Sequence, residues 1–190
     1  MISMESVLQD CQMYIDFLQK CDRGYFLTRG VLDKNVEIVR KEYSVAQRKP
    51  KTIGQELHDS LNMHFNEIFG WPVRNGLFCY GIRIDLEKEI KDLGYGKTHL
   101  LFPCGEFRYI YDPDIFDLAS FHFKFKKNHE DGPNFQNFIE KINYLDSGLS
   151  DYISKVHYEC RSVEVMLNCT SYYLLDLKYS KDLIPIIWGA

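Results

Sequence analysis

Met4, Val7, Leu8, Cys11, Tyr14, Ile15 and Leu18 recur at helical spacing, which predicts an amphipathic helix over 3–20. Asp22-Arg23-Gly24 ends it, and the aromatic run Tyr25-Phe26-Leu27-Thr28 reads as a short strand closed by Arg29-Gly30. Residues 31–51 are less regular and carry Arg40-Lys41 and Arg48-Lys49-Pro50-Lys51, the pattern of a solvated loop. Thr52-Ile53-Gly54-Gln55 resembles a capping box and opens a helix with Leu57, Leu61, Phe65 and Ile68 inward, ending near Phe69-Gly70. Leu77 to Tyr80 reads as a strand, and 83–92 as a charged surface helix ended by Gly94. Strands follow near 98–102 and 107–111, joined by Pro103-Cys104-Gly105-Glu106. The alternation Phe121-His122-Phe123-Lys124-Phe125 predicts a half-buried strand, although it also fits a surface that stacks single-stranded bases. A helix over 135–145 buries Phe135, Phe138, Ile139 and Ile142, and segments 164–168 and 172–177 read as a hairpin. Helices dominate the first half and strands follow without regular βα alternation, so the expected class is α+β.

Composition narrows the class. At 190 residues, with 45% apolar and 15% aromatic residues, the chain has material for one core, so a single domain over 1–190 is expected. Within it, 1–22 is an N-terminal helix, 25–177 the core and 178–190 an apolar tail. A net charge of −4 argues against nucleic acid as the main partner. The longest nearly charge-free apolar stretch, Leu183 to Ala190, is far shorter than the ~20 residues of a membrane helix. The N-terminus lacks a basic region and cleavage site. Six cysteines without a Cys-x-x-Cys pair fit a reducing, cytoplasmic setting.

Several chemistries lack their residues. Gly96-Lys97-Thr98 has Lys91 where a phosphate-binding loop needs its first glycine, and it leads from a helix into a strand, the reverse order. His58 and His64 are not at metal-ligand spacing, and His157-x-x-Cys160 is half a site, so no metal is expected. No Gly-x-Ser-x-Gly is present. Two pieces remain. In Tyr25 to Gly30 an apolar strand leads to Arg29, whose guanidinium can grip a phosphate or ribose bidentately, and Gly30 frees the backbone after it. In Val163-Glu164-Val165-Met166-Leu167 a carboxylate heads an apolar strand.

Taken in order, these pieces resemble the ADP-ribosyltransferase superfamily in its Arg–Ser–Glu branch, most closely the short transferases encoded by bacteriophages. In that family an aromatic strand ends in Arg-Gly, as Phe26-Leu27-Thr28-Arg29-Gly30 does. A central strand carries a Ser-Thr-Ser-like motif followed by a helix. A late strand begins with the catalytic glutamate before Val-Met or Ile-Met, as Glu164-Val165-Met166 does. The central element corresponds to Asn75 through Gly81, followed by helix 83–92, and Leu100 to Gly105 resembles the next strand and turn. The likeness spans about 25–177. It implies two small packed sheets flanked by helices, with NAD as cofactor and glycosyl transfer from it to a host protein or nucleic acid.

Nicotinamide release passes through an oxocarbenium-like state, as glycoside cleavage does. Under the resemblance Glu164 stabilises that charge as catalytic residue. Arg29, with Gly30, anchors the pyrophosphate or adenosine side, and Tyr80 or Tyr95 stacks on nicotinamide. Cys79 occupies the place of the family's serine, which orients the glutamate. Arg29 and Glu164 are then expected to face one cleft, with strand 98–102 beside strand 77–80 and Cys79 near Glu164. Ser162 stands where arginine-directed members carry Glu or Gln. Two functions follow: a phage-encoded transferase working in the host cytoplasm, or a catalytically degenerate member of the same fold acting as a virion or host-interaction protein. The tail Leu183 to Trp188 either docks on a partner or packs on its own core.

Overall fold

The computed structural model describes residues 2–32, 37–45, 49–50, 53–84, 96–127, 135–155 and 163–189. Their elements are α1 (Met4–Asp10), α2 (Gln12–Leu18), β1 (Tyr25–Val31), β2 (Ile38–Glu42), α3 (Gln55–Phe69), β3 (Leu77–Arg83), β4 (Lys97–Pro103), β5 (Arg108–Tyr111), α4 (Leu118–Lys127), α5 (Phe135–Ile139), α6 (Leu149–Lys155), β6 (Val163–Asn168), β7 (Ser171–Asp176) and α7 (Ser180–Trp188). Short 3-10 turns lie at Val73–Asn75 and Leu177–Tyr179. The class is α+β, as the order of elements predicts.

All strands join one antiparallel ladder in the order β2-β7-β4-β1-β3-β6-β5. That ladder cannot be flat. β6 ends at Asn168 and β7 begins at Ser171, yet β3, β1 and β4 lie between them in the order. Four strand spacings amount to ~19 Å, whereas three residue steps reach at most ~11 Å. The ladder therefore folds over on itself, with β1-β3-β6-β5 as one leaf and β4-β7-β2 as the other. The resemblance implies two separate packed sheets; the structure instead has one continuous seven-stranded sheet, unbroken at the β1–β4 seam. The seam is short: β1 and β4 pair only from Thr28↔Leu100 to Val31↔Lys97. Just before it, the Leu27 N–H donates to the Tyr14 hydroxyl (2.8 Å), so α2 supplies the partner that β4 no longer gives. Tyr43, just past β2, donates its hydroxyl to the Asn75 carbonyl before β3, tying the two leaves at their far side.

Several local expectations are corrected, and the helix expected over 135–145 ends at Ile139 as α5. The helix over 3–20 is two helices, because the Gly105 N–H takes the Asp10 carbonyl (2.9 Å) and the Tyr14 N–H turns to Cys11 instead (3.0 Å). The 121–127 segment is not a strand but lies in α4. Asp117 caps it through the Ser120 N–H (2.6 Å), and Leu118, Phe121 and Phe125 line one helical face against the buried Phe138. Residues 38–42 form an edge strand in the region read as loop, where Ile38 and Val39 supply β-branched positions. Segments 163–168 and 171–176 are not a hairpin, since each pairs on a different leaf. Helix α3 buries Leu57, Leu61 and Phe65 as predicted, while Ile68 in its last turn is exposed. The predicted helix 83–92 lies outside the described residues beyond Ile84, and Arg83 belongs to β3.

Two apolar clusters result. One is built from α1, α2, α7 and much of both leaves, including Tyr14, Leu18, Leu27, Cys79, Leu101, Val165 and Leu174. The other lies between the β3-β6-β5 region and α3, α4 and α5, around Leu57, Phe65, Ile110, Leu118, Phe138 and Met166. The apolar tail packs on its own core as α7. Leu183 and Ile187 are buried, and the Trp188 indole donates to the Cys21 carbonyl (3.1 Å). No described helix is long and apolar enough to cross a membrane.

Candidate functional site

Register places the motif residues. β3 lies between β1 and β6, so the three strands carrying the motifs are neighbours. Thr28 pairs with Tyr80, and Tyr80 with Glu164. Residues in register share a face, and successive residues alternate faces. Glu164, Tyr80 and Thr28 therefore point to the helical layer, where Met166 and Ile110 also lie.

There Glu164 is 1% exposed and closed in. Its Oε1 accepts from Arg74 Nη1 at 2.6 Å, and its Oε2 from the Leu118 backbone N–H at 2.8 Å. Arg74 is delivered by the turn Val73–Asn75, which is held in three ways. Its N–H donates to Asn62 Oδ1 (2.8 Å), Asn62 Nδ2 donates to Asn75 Oδ1 (3.0 Å), and His58 Nε2 lies 3.1 Å from the same oxygen. Gly76 completes the turn, because a Cβ there would lie 2.8 Å from the Leu167 carbonyl oxygen and 2.9 Å from that of Val73. A side chain would push the turn off β6 and carry Arg74 away from Glu164.

On the other flank, Asp117 Oδ2 accepts from the Tyr80 hydroxyl at 3.5 Å, and the exposed Phe116 ring stacks on Tyr80 with centroids 5.9 Å apart. Tyr144 is buried beside the pair. Among the described residues its hydroxyl and Arg74 Nε have no hydrogen-bond partner. Burial raises the Glu164 carboxyl above its ordinary value, with Arg74 and the Leu118 N–H pulling the other way. Burial opposes the Arg74 charge, but Glu164 and the nearby acids outweigh it and hold the guanidinium protonated. The result is a buried ion pair with both carboxylate oxygens engaged.

Arg29 does not join it. Following Thr28 in the strand, Arg29 leaves the opposite face, where its Nη1 donates to the Phe78 carbonyl at 2.5 Å. Its electrostatic neighbours are Cys79 and, across the leaves, Tyr172. Expecting Arg29 and Glu164 in one cleft fails by one residue of strand parity. Gly30 does not end the strand either: it pairs with Thr98, and β1 runs on to Val31. Cys79 is fully buried and donates its thiol to the Val165 carbonyl (3.3 Å), so it does not orient Glu164. Strand β4 is not beside β3, because β1 intervenes. Tyr80 is next to Glu164 in register, and Tyr95 lies outside the described residues.

The residues that complete the site, Arg74, Asp117, Tyr144 and the Leu118 amide, were not singled out from the sequence. Arg74 had one signal, a lone cation within the otherwise uncharged Trp71-Pro72-Val73-Arg74-Asn75-Gly76-Leu77 run. Among the described residues, no cluster of three or more His, Cys, Asp or Glu is arranged to hold a metal ion. No family model, curated protein or solved structure matches the chain.

Proposed function

We propose that the chain is a catalytically degenerate member of the ADP-ribosyltransferase fold, of the bacteriophage kind, acting as an interaction protein toward a host macromolecule. The observation that carries this reading is the position of Glu164. It is sealed in an ion pair with Arg74, on the face of the sheet opposite Arg29. An acid that stabilises an oxocarbenium-like ribose must touch the ribose, and neither oxygen of Glu164 is open to one. The adjacency of the three motif strands, with the central one between the Arg and Glu strands, is the feature that supports the family likeness, while the single cleft it requires for Arg29 and Glu164 is absent among the described residues. A partner-binding role is supported by the exposed Phe123 in α4, whose last turn carries Lys124, Lys126 and Lys127, and by the exposed Phe116 before that helix.

One observation favours the active transferase as second reading. Tyr144 and Arg74 keep buried polar atoms without partners beside Glu164, more polar capacity than the closed arrangement uses. If the segment around Leu118 lifts, Arg74 takes the anchoring role that Arg29 cannot. Calorimetric and thermal titration with NAD separates the readings. The degenerate site gives no heat of binding and an unchanged melting temperature up to millimolar NAD. A competent site at about one hundred times its dissociation constant gains ~2.7 kcal/mol, a rise of roughly 5–10 °C for a domain this size. Such a rise would overturn the proposal.

A further inference from the structure

Away from that site, two reduced cysteines meet where the N-terminal helices touch the second leaf. Cys11, between α1 and α2, and Cys104, in the turn after β4, have sulfurs 3.8 Å apart. The backbone holds them together: the Gly105 N–H donates to the Asp10 carbonyl and the Cys104 N–H to the Ser171 carbonyl, both at 2.9 Å. Cys11 also lies 3.6 Å from the Phe102 carbonyl. The two residues are 93 positions apart in sequence, so the approach is a product of the tertiary fold.

We propose that Cys11 and Cys104 form a peroxide-reactive dithiol, with Cys104 as the nucleophile and Cys11 as the resolving thiol. The surroundings distinguish the two sulfurs. Cys104 accepts the Cys11 S–H, has the Ser171 hydroxyl as a second donor and faces the Arg40 guanidinium, which bonds Ser171 and Asp10. The other titratable groups around it are Asp10, Cys169 and Tyr173, whose hydroxyl bonds Asp10 (2.7 Å). The Cys11 hydrogen bond leads in bringing the Cys104 thiol below the ordinary thiol range, against desolvation and Asp10. Cys11 itself is held well above the ordinary thiol range, first by that bond and then by burial. Cys21, Cys79 and Cys169 are all raised, chiefly by burial. Cys104 is 7% exposed, in a turn whose next residues, Gly105 and Glu106, are open to solvent.

The chemistry closes on these groups plus a peroxide. The Cys104 thiolate attacks one peroxide oxygen, forming the S–O bond and breaking O–O, and the leaving hydroxide takes up a proton to depart as water. Cys11 sulfur then attacks Cys104 sulfur. The S–S bond forms, S–O breaks, and the hydroxyl leaves as a second water with the Cys11 proton. Two thiols lose two electrons and one peroxide gains them. The sulfurs must close from 3.8 Å to the ~2.0 Å of a disulfide, a side-chain adjustment between segments already bonded through their backbones.

The test exposes the full-length reduced protein to equimolar hydrogen peroxide and maps the cysteine peptides by mass spectrometry. The expected product links the Cys11 and Cys104 peptides, with Cys104 consumed at least about tenfold faster than Cys21, Cys79 or Cys169. Cys160 lies outside the described residues, and the same map resolves it separately. Cys11→Ser is expected to stop at a Cys104 sulfenic acid trapped by a dimedone probe, and Cys104→Ser to spare Cys11. On the unmodified chain, iodoacetamide labelling of Cys104 is expected to rise with pH through a midpoint below that of an ordinary thiol, and that midpoint to shift upward in Arg40→Gln. A parent protein that forms no Cys11–Cys104 link, or loses another described thiol as fast, overturns the proposal whether or not the variants fold.

Discussion

Replacing Glu164 by alanine is expected to destabilise the fold by about 3–5 kcal/mol, because it strands a buried charge. Arg74 is 9% exposed, and with Glu164 gone its guanidinium keeps no acid partner at bonding distance among the described residues, while the Leu118 N–H loses its acceptor. Arg74→Ala is expected to cost a similar amount from the other side. The double variant Arg74→Met/Glu164→Met is expected to recover most of the loss, since a buried pair exchanged for well-packed apolar residues is often neutral. Urea denaturation of the four proteins measures each change in stability. This separates a structural pair from a catalytic one: an acid retained for chemistry at the expense of stability gives a more stable protein on removal. A stabilised Glu164→Ala would therefore contradict the structural role.

The second large effect is expected at the seam between the leaves. Tyr14 is fully buried, packs edge-on against Phe102 with centroids 5.0 Å apart, and satisfies the Leu27 N–H where β1 parts from β4. Tyr14→Ala removes the ring and the acceptor together and is expected to cost at least about 3–5 kcal/mol. Tyr14→Phe keeps the ring and leaves the N–H unpaired, for an expected loss of about 1–3 kcal/mol. Hydrogen exchange at Leu27 gives a local readout, with faster exchange expected in Tyr14→Phe. Unchanged stability and unchanged Leu27 protection in that variant would mean that the phenol does not close the seam.

Strand positions were largely legible in the sequence because their patterns are local. Leu77 to Tyr80, 98–102 and 164–168 fall on strands, as does 107–111 from Arg108 onward. What local pattern cannot encode is the partner. The short link after Asn168 looks like a hairpin turn, yet it carries the chain from one leaf to the other. The aromatic alternation at 121, 123 and 125 also contains a helical i, i+4 pair, and packing on Phe138 decides for the helix. The cap on Ser120 and the buried Leu118 extend that choice over α4. At the site, Glu164 stood out through its motif. The face it takes depends on whether Thr28 or Arg29 shares its parity, which only the ladder register reveals. Arg74 was hidden for a different reason. Its role follows from a turn held by Asn62, Asn75 and His58 and from the tight seat of Gly76.

Incubation of the protein with labelled NAD, alone and in bacterial-cell lysate, tests the assignment of Glu164 most directly. The expected result is no nicotinamide release and no labelled protein or nucleic acid, from the parent and from Glu164→Gln alike. Label transfer by the parent that falls on the order of a hundredfold in Glu164→Gln would contradict it, because a loss of that size belongs to a group that touches the transition state.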